Sequence, residues 1–186
     1  MFYKNLADYV YLFTTQQNLG GVQYQVTQPL NGDVATIRGL EVALQNQLKF
    51  LPKPLKGIGV YANYTFTDST AAIPGHEGAH LPGQSRHVGN LAAWYERGGF
   101  SGRVSVNFHG SFVDAVGATN ALDRYYDVNR QLDISLVQRL ARNLRVYFDG
   151  LNLNNALLRY YQGVPDRPLQ EEHYQAWTNF GVKVDF

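Results

Sequence analysis

Apolar and polar residues alternate with a period of two along most of this chain, and the 3.6-residue helical period is scarce. In GLEVALQNQLKF, Leu40, Val42, Leu44, Leu48 and Phe50 share one face, with Asn46 the polar intruder, while Glu41, Gln45, Gln47 and Lys49 share the other. In GIGVYANYTFT, Ile58, Val60, Ala62, Tyr64 and Phe66 oppose Gly59, Tyr61, Asn63, Thr65 and Thr67. FSGRVSVNFHGSF sets Phe100, Val104, Val106, Phe108 and Phe112 against Ser101, Arg103, Ser105, Asn107, His109 and Ser111. HVGNLAAWYERG, LDISLVQRL, LRVYFDG and the terminal TNFGVKVDF repeat the pattern, and a first strand is expected through FYKNLADYVYLF. These segments predict eight strands.

The joins alternate in length. Short ones are expected at Leu51–Lys56, Gly98–Gly99 and Ala141–Asn143, and long ones near Thr14–Asp33, Asp68–Arg86, Asp114–Arg124 and Asn152–Gln175. Short turns on one side and long loops on the other characterise transmembrane β-barrels, although a soluble sandwich or a lipocalin also alternates. Several segments exceed the roughly 5–6 residues of ordinary strands and reach the 9–11 or so that a tilted membrane strand needs. One face is thinly filled with Leu, Val and Phe, and the other carries Arg, Lys, Glu, Asp, Asn and His. Lipid outside and water inside produce that inversion. Tyr9, Tyr11, Phe50, Phe66, Tyr95, Phe112, Tyr125 and Tyr126 lie near strand ends, as interfacial girdle residues do.

The totals narrow the choice. A chain of 186 residues suits one domain, and 13 Tyr with 10 Phe favour strands. A net charge of +1 supplies no basic field for nucleic acid. Without Cys there is no disulfide, thiolate metal site or Cys nucleophile. No apolar run is long enough for a spanning helix, and the start lacks the charged and apolar regions of a signal peptide.

A barrel has no free edge only if its last strand pairs with its first. The last strand keeps its alternation to the end: Phe180, Val182, Val184 and Phe186 fall on one parity. In outer-membrane proteins as a class, an alternating C-terminal strand that ends in Phe resembles the signal read by the barrel-assembly machinery.

The stretches FYKNLADY, QPLNGDVATIRGLEVALQ, VYANYTFTDS, LPGQSRHVGNLAAWYERGGFSGRVSVNFHGSF, LDISLVQRLARNLRVYFDGLNLNNALLRYYQG and RPLQEEHYQAWTNFGVKVDF come in an order and spacing that resemble the C-terminal part of a TonB-dependent outer-membrane receptor. The resemblance covers essentially the whole chain. It implies an all-β fold: an antiparallel transmembrane barrel segment, the C-terminal part of a barrel of the 22-stranded, plugged type. It also implies import of a scarce small-molecule or glycan ligand, of the siderophore, cobalamin, haem or glycan class. The plug domain, the TonB complex and outer-membrane lipid are the implied partners. Residues 1–186 match barrel only, so a fragment without plug or N-terminal strands is expected. The alternative is a self-contained eight-stranded outer-membrane barrel with a structural or adhesive role.

His76, Glu77 and His80 match H-E-x-x-H, which binds zinc when a helix sets the two His on one face. Here Pro74-Gly75, Gly78 and Pro82-Gly83 surround it, so a loop is expected and not a metalloprotease. His76 and His80 are candidate ligand contacts on an outer loop. Arg159, Tyr160, Tyr161, Asp166 and Arg167, on the last long loop, are the others, because amphipathic aromatics with charges suit ligand capture. Lumen-facing Arg103, His109, Asp133, Arg145, Asp149 and Lys183 are expected to form a polar network. No cofactor fingerprint and no catalytic residue set is present.

Overall fold

The computed structural model describes residues 1–185. Its strands are β1 (Phe2–Ala7), β2 (Val10–Leu19), β3 (Val22–Asn31), β4 (Val34–Gln47), β5 (Ile58–Ala71), β6 (His87–Arg97) and β7 (Phe100–His109). Then follow β8 (Phe112–Ala115), β9 (Arg124–Tyr126), β10 (Asn129–Ala141), β11 (Leu144–Leu151), β12 (Leu157–Gln162), β13 (Pro168–His173) and β14 (Trp177–Val184).

Eight strands form one antiparallel sheet in the order β1-β4-β5-β6-β7-β10-β11-β14. This is the predicted wall. Its inner connections are the 3-10 turn at Lys53–Leu55, the Gly98-Gly99 turn and the turn at Arg142-Asn143. Its outer connections are long, at residues 8–33, 72–86, 110–128 and 152–176. The wall is open. Strands β1 and β14 lie at opposite edges, so the self-contained eight-stranded barrel, which needs them paired, is not what the chain forms.

Register carries the alternation across the sheet. Val42 faces Tyr64, Leu91 faces Val106, Val104 faces Ile134, and Phe148 faces Phe180. That row is bare: Val42 is 55% exposed, Leu91 59% and Phe180 82%. An apolar row this exposed is stable only against lipid or a partner. The opposite face is polar and partly hydrogen-bonded. Asn90 Nδ2 donates to Asn63 Oδ1 at 2.8 Å, Asn107 Nδ2 to Asp133 Oδ2 at 3.1 Å, and Ser135 Oγ to Asp149 Oδ1 at 2.6 Å. Arg145 pairs with Asp185 at 2.5 Å.

Three sequence expectations need correction. The first strand is not continuous. Asp8 sits at φ 53°, in the left-handed region, and turns the chain off the wall between β1 and β2. Tyr9 and Tyr11 are therefore not girdle residues. They are buried with Ala35, Ala71, Ile73 and Val116 in the main hydrophobic cluster, and Tyr9 Oη donates to the Ala72 carbonyl at 2.8 Å. Gly32 permits this packing, since a Cβ there would stand 2.1 Å from the Tyr9 ring. The long joins also contain strands of their own, beyond the eight expected. The first contains the β2–β3 hairpin, and the third and fourth supply a second sheet in the order β13-β12-β9-β8.

Candidate functional site

All four outer connections converge over the outer end of the polar face. They meet there because the wall presents small side chains at that level, with Ala35, Ser69 and Ala71 buried beneath them. Strand β2 leans on the segment after β8. Thr14 N–H donates to Val116 O at 2.7 Å, and Val116 N–H donates to Leu12 O at 2.8 Å.

The second connection ties to the third through two buried side chains. His76 and Asp123 are 5% and 4% exposed, and His76 Nε2 lies 3.1 Å from Asp123 Oδ1. The same oxygen accepts the Gly117 N–H at 2.8 Å, and His76 Nδ1 lies 3.2 Å from the Pro74 carbonyl. The Asp123 backbone carbonyl accepts the Gly163 N–H at 2.9 Å. One residue thus holds the second, third and fourth connections together. No local pattern announces it, because His76 and Asp123 are 47 residues apart.

Burial raises the Asp123 carboxyl above its ordinary 3.8 and outweighs the Gly117 N–H and His76, which lower it. A raised folded value means that the folded chain holds this proton more tightly than the unfolded chain does. The stability so gained is complete below pH 3.8 and is lost as pH rises through the folded value. Asp123→Asn keeps an acceptor without a titrating group. Its urea midpoint will therefore fall less than the wild type's over that acid range, in a pH series of unfolding curves.

The H-E-x-x-H stretch is a run of turns, with Gly75 and Gly78 at φ 79° and 67°. The helix that zinc chemistry requires is not formed by it. Its side chains diverge: His76 goes to Asp123, Glu77 is exposed, and His80 Nδ1 meets the Ser69 carbonyl at 2.7 Å. Among the described residues, no group of three metal-ligating side chains converges.

Beside the His76–Asp123 pair lies a cavity of about 520 Å3, lined by His76, His80, Gln84, Phe112, Asp123 and Tyr125 among others. The Gln84 Oε1 atom is buried without a hydrogen-bond partner among the described residues. His80 Nδ1 donates to the Ser69 carbonyl. The cavity thus combines aromatic walls with an acceptor, the chemistry of a small-ligand pocket.

The candidates on the fourth connection lie apart from this cavity. Tyr161 is buried and stacks on Tyr125 at 5.1 Å and 4°. Tyr160 packs on Tyr126 at 4.9 Å, with Arg124 over its ring at 5.2 Å. Burial raises the phenol of Tyr160, and Asp114 adds to the shift. Arg159 spans Asp127 at 3.2 Å and Glu171 at 3.0 Å and also reaches the Pro165 carbonyl. Asp166 and Arg167 are exposed at the β12–β13 turn. Removing the Arg159 bridges will loosen this turn. Arg159→Ala is expected to cost about 1–2 kcal/mol, because the group is only partly buried, and to speed proteolysis at residues 163–167.

On the wall, Phe180, Val182 and Val184 lie on the exposed apolar row of edge strand β14, and Phe186 lies outside the described residues.

An open antiparallel wall, bare and apolar outside, polar within and roofed by long loops on one rim, defines a segment of a large membrane β-barrel. The TonB dependent receptor-like, beta-barrel family model matches residues 1–153, and the chain belongs to that family. The family is one of outer-membrane transport receptors, which supports an outer-membrane location. No curated protein matches the chain. Among solved structures it is similar to the closed form of the ferric-catecholate import receptor Fiu from E. coli K12. The identity is 18% and the TM-score 0.62, over 99% of this chain and 24% of that one. The chain thus spans about a quarter of that receptor's length, and the likeness is one of fold.

Proposed function

We propose that this chain forms part of the wall and outer loops of a receptor that imports a scarce small-molecule or glycan ligand across the outer membrane. In this reading it is the C-terminal part of a 22-stranded barrel, whose plug domain lies elsewhere in the receptor and whose energy comes from the TonB complex. The loops capture the ligand, the polar face lines its path, and the apolar face meets lipid. Phe180, Val182, Val184 and Phe186 form the signal for the barrel-assembly machinery.

The observation that carries the reading is the cavity beneath the converged loops, with the unpartnered Gln84 acceptor on its wall. His80 acts there and His76 shapes its wall, while Arg159, Tyr160, Asp166 and Arg167 present a second, outer surface that Tyr161 supports from beneath. Catecholate siderophores come first for testing, because a ferric-catecholate receptor has this fold; cobalamin, haem and oligosaccharides follow.

The test is a fluorescence titration of the chain folded in detergent. Trp177, half exposed at the outer rim, is the reporter. Saturable quenching by one ligand class and not the others is expected. A flat titration with all four classes would remove ligand capture from these loops.

A further inference from the structure

On several strands the outward row changes from apolar to charged at the outer end. On β4, Leu44, Val42 and Leu40 are followed by Arg38; on β5, Phe66 by Asp68; on β10, Leu132 by Arg130. Arg86 precedes β6 and joins the same side of the wall, because its guanidinium lies 5.3 Å from the Phe66 ring centroid. The charges mark the upper border of the apolar band.

At that border one carboxylate holds two guanidiniums. Arg38 Nε and Nη2 donate to Asp68 Oδ2 at 3.1 and 2.8 Å, and Arg86 Nη2 donates to Oδ1 at 3.0 Å. The Arg38 and Arg86 side chains are 73% and 52% exposed, and Asp68 is 18% exposed. The trio carries a net positive charge. Each guanidinium has about five N–H donors; Arg38 commits two and Arg86 one, so most remain open. Exposed ion pairs add little stability in water, so stability alone does not account for the trio. Arginine stems that lie on an apolar surface and lift their heads to the headgroup level follow the snorkelling geometry. Two forks side by side match the oxygens of a phosphate.

We infer that Arg38 and Arg86, aligned by Asp68, bind the phosphate of an anionic lipid headgroup in the outer leaflet. Arg130, whose guanidinium lies 5.7 Å from the Phe108 ring centroid, places a third cation along the same border. The inference rests on the exposed apolar face being the lipid-facing one, and the experiment separates the two.

The chain would be inserted into phosphatidylcholine bilayers doped with phosphatidylglycerol. Flotation reports insertion, and mass spectrometry after gentle detergent extraction reports the retained lipid. Wild type is expected to float and to retain the anionic lipid preferentially. Arg38→Gln/Arg86→Gln is expected to float equally, with an unchanged strand signal, and to retain about tenfold less, the effect of losing charge-assisted hydrogen bonds. Lys49→Gln/Lys53→Gln, at the opposite rim, removes the same charge and should retain as wild type does. Equal retention by the arginine variant would overturn the site, as would equal loss in the lysine variant. Displacement by inorganic phosphate would reduce it to a free-anion site and overturn the lipid assignment. Failure of wild type to float would overturn the lipid-facing reading and the headgroup site with it.

Discussion

Asp123→Ala will destabilise the loop assembly by about 2–3 kcal/mol, the usual consequence of leaving buried hydrogen-bonding groups without their partner. The wall strands touch each other through long ladders and will persist. The third and fourth connections share the short β9–β12 ladder, but no such ladder joins the second connection to the third. Those two meet at the buried Asp123 Oδ1, which contacts both His76 Nε2 and the Gly117 N–H. Alanine strands a buried imidazole and a buried N–H, each without its acceptor. Hydrogen exchange at residues 72–86 and 116–123 should rise together, while β4, β5 and β6 stay protected. Unchanged exchange in either segment would show that the hydrophobic cluster alone holds the loops.

Val42→Arg will cost about 2–4 kcal/mol in a bilayer, as a cation does near the middle of a lipid-facing strand. Val42 lies within the bare apolar row and faces Tyr64 across the β4–β5 ladder. Ala43→Arg, one residue along, turns to the polar face and should cost far less. Urea unfolding of both variants in vesicles compares them directly. A silent Val42→Arg would sink the membrane reading, since a face in water accepts arginine freely.

Much of the wall was legible because its chemistry repeats every second residue. An apolar face on one side and a polar face on the other impose that period on every strand, and the three short turns follow from where it breaks. The outer region obeys no such rule. Strand β3 does alternate, with Val22, Tyr24 and Val26 against Gln23, Gln25 and Thr27, but it lies in a hairpin outside the wall, and its polar content makes the stretch read as a loop. Strands β9 and β12 are held by rings that stack on each other, Tyr125 on Tyr161 and Tyr126 on Tyr160. The aromatics are visible in the chain and their pairing is not. Tyr9 and Tyr11 keep the wall parity across Asp8, so nothing in the pattern marks the left-handed turn that redirects them. The H-E-x-x-H reading went the other way: glycine and proline announce turns locally, and turns are what form.

The convergence of the loops bears on how such receptors diversify. The second connection bonds the third through His76 and Asp123, the fourth bonds the third through Gly163, and the first rests on Val116. A loop transplanted singly from a relative would arrive without its partners and leave theirs unmatched. New recognition surfaces should therefore spread by recombination of the whole rim, or through change at its free tips. The tip of the β2–β3 hairpin, where a Cβ added at Gly20 or Gly21 would meet nothing within 4 Å, is one place where the residues flanking those two left-handed glycines can drift without consulting the rest.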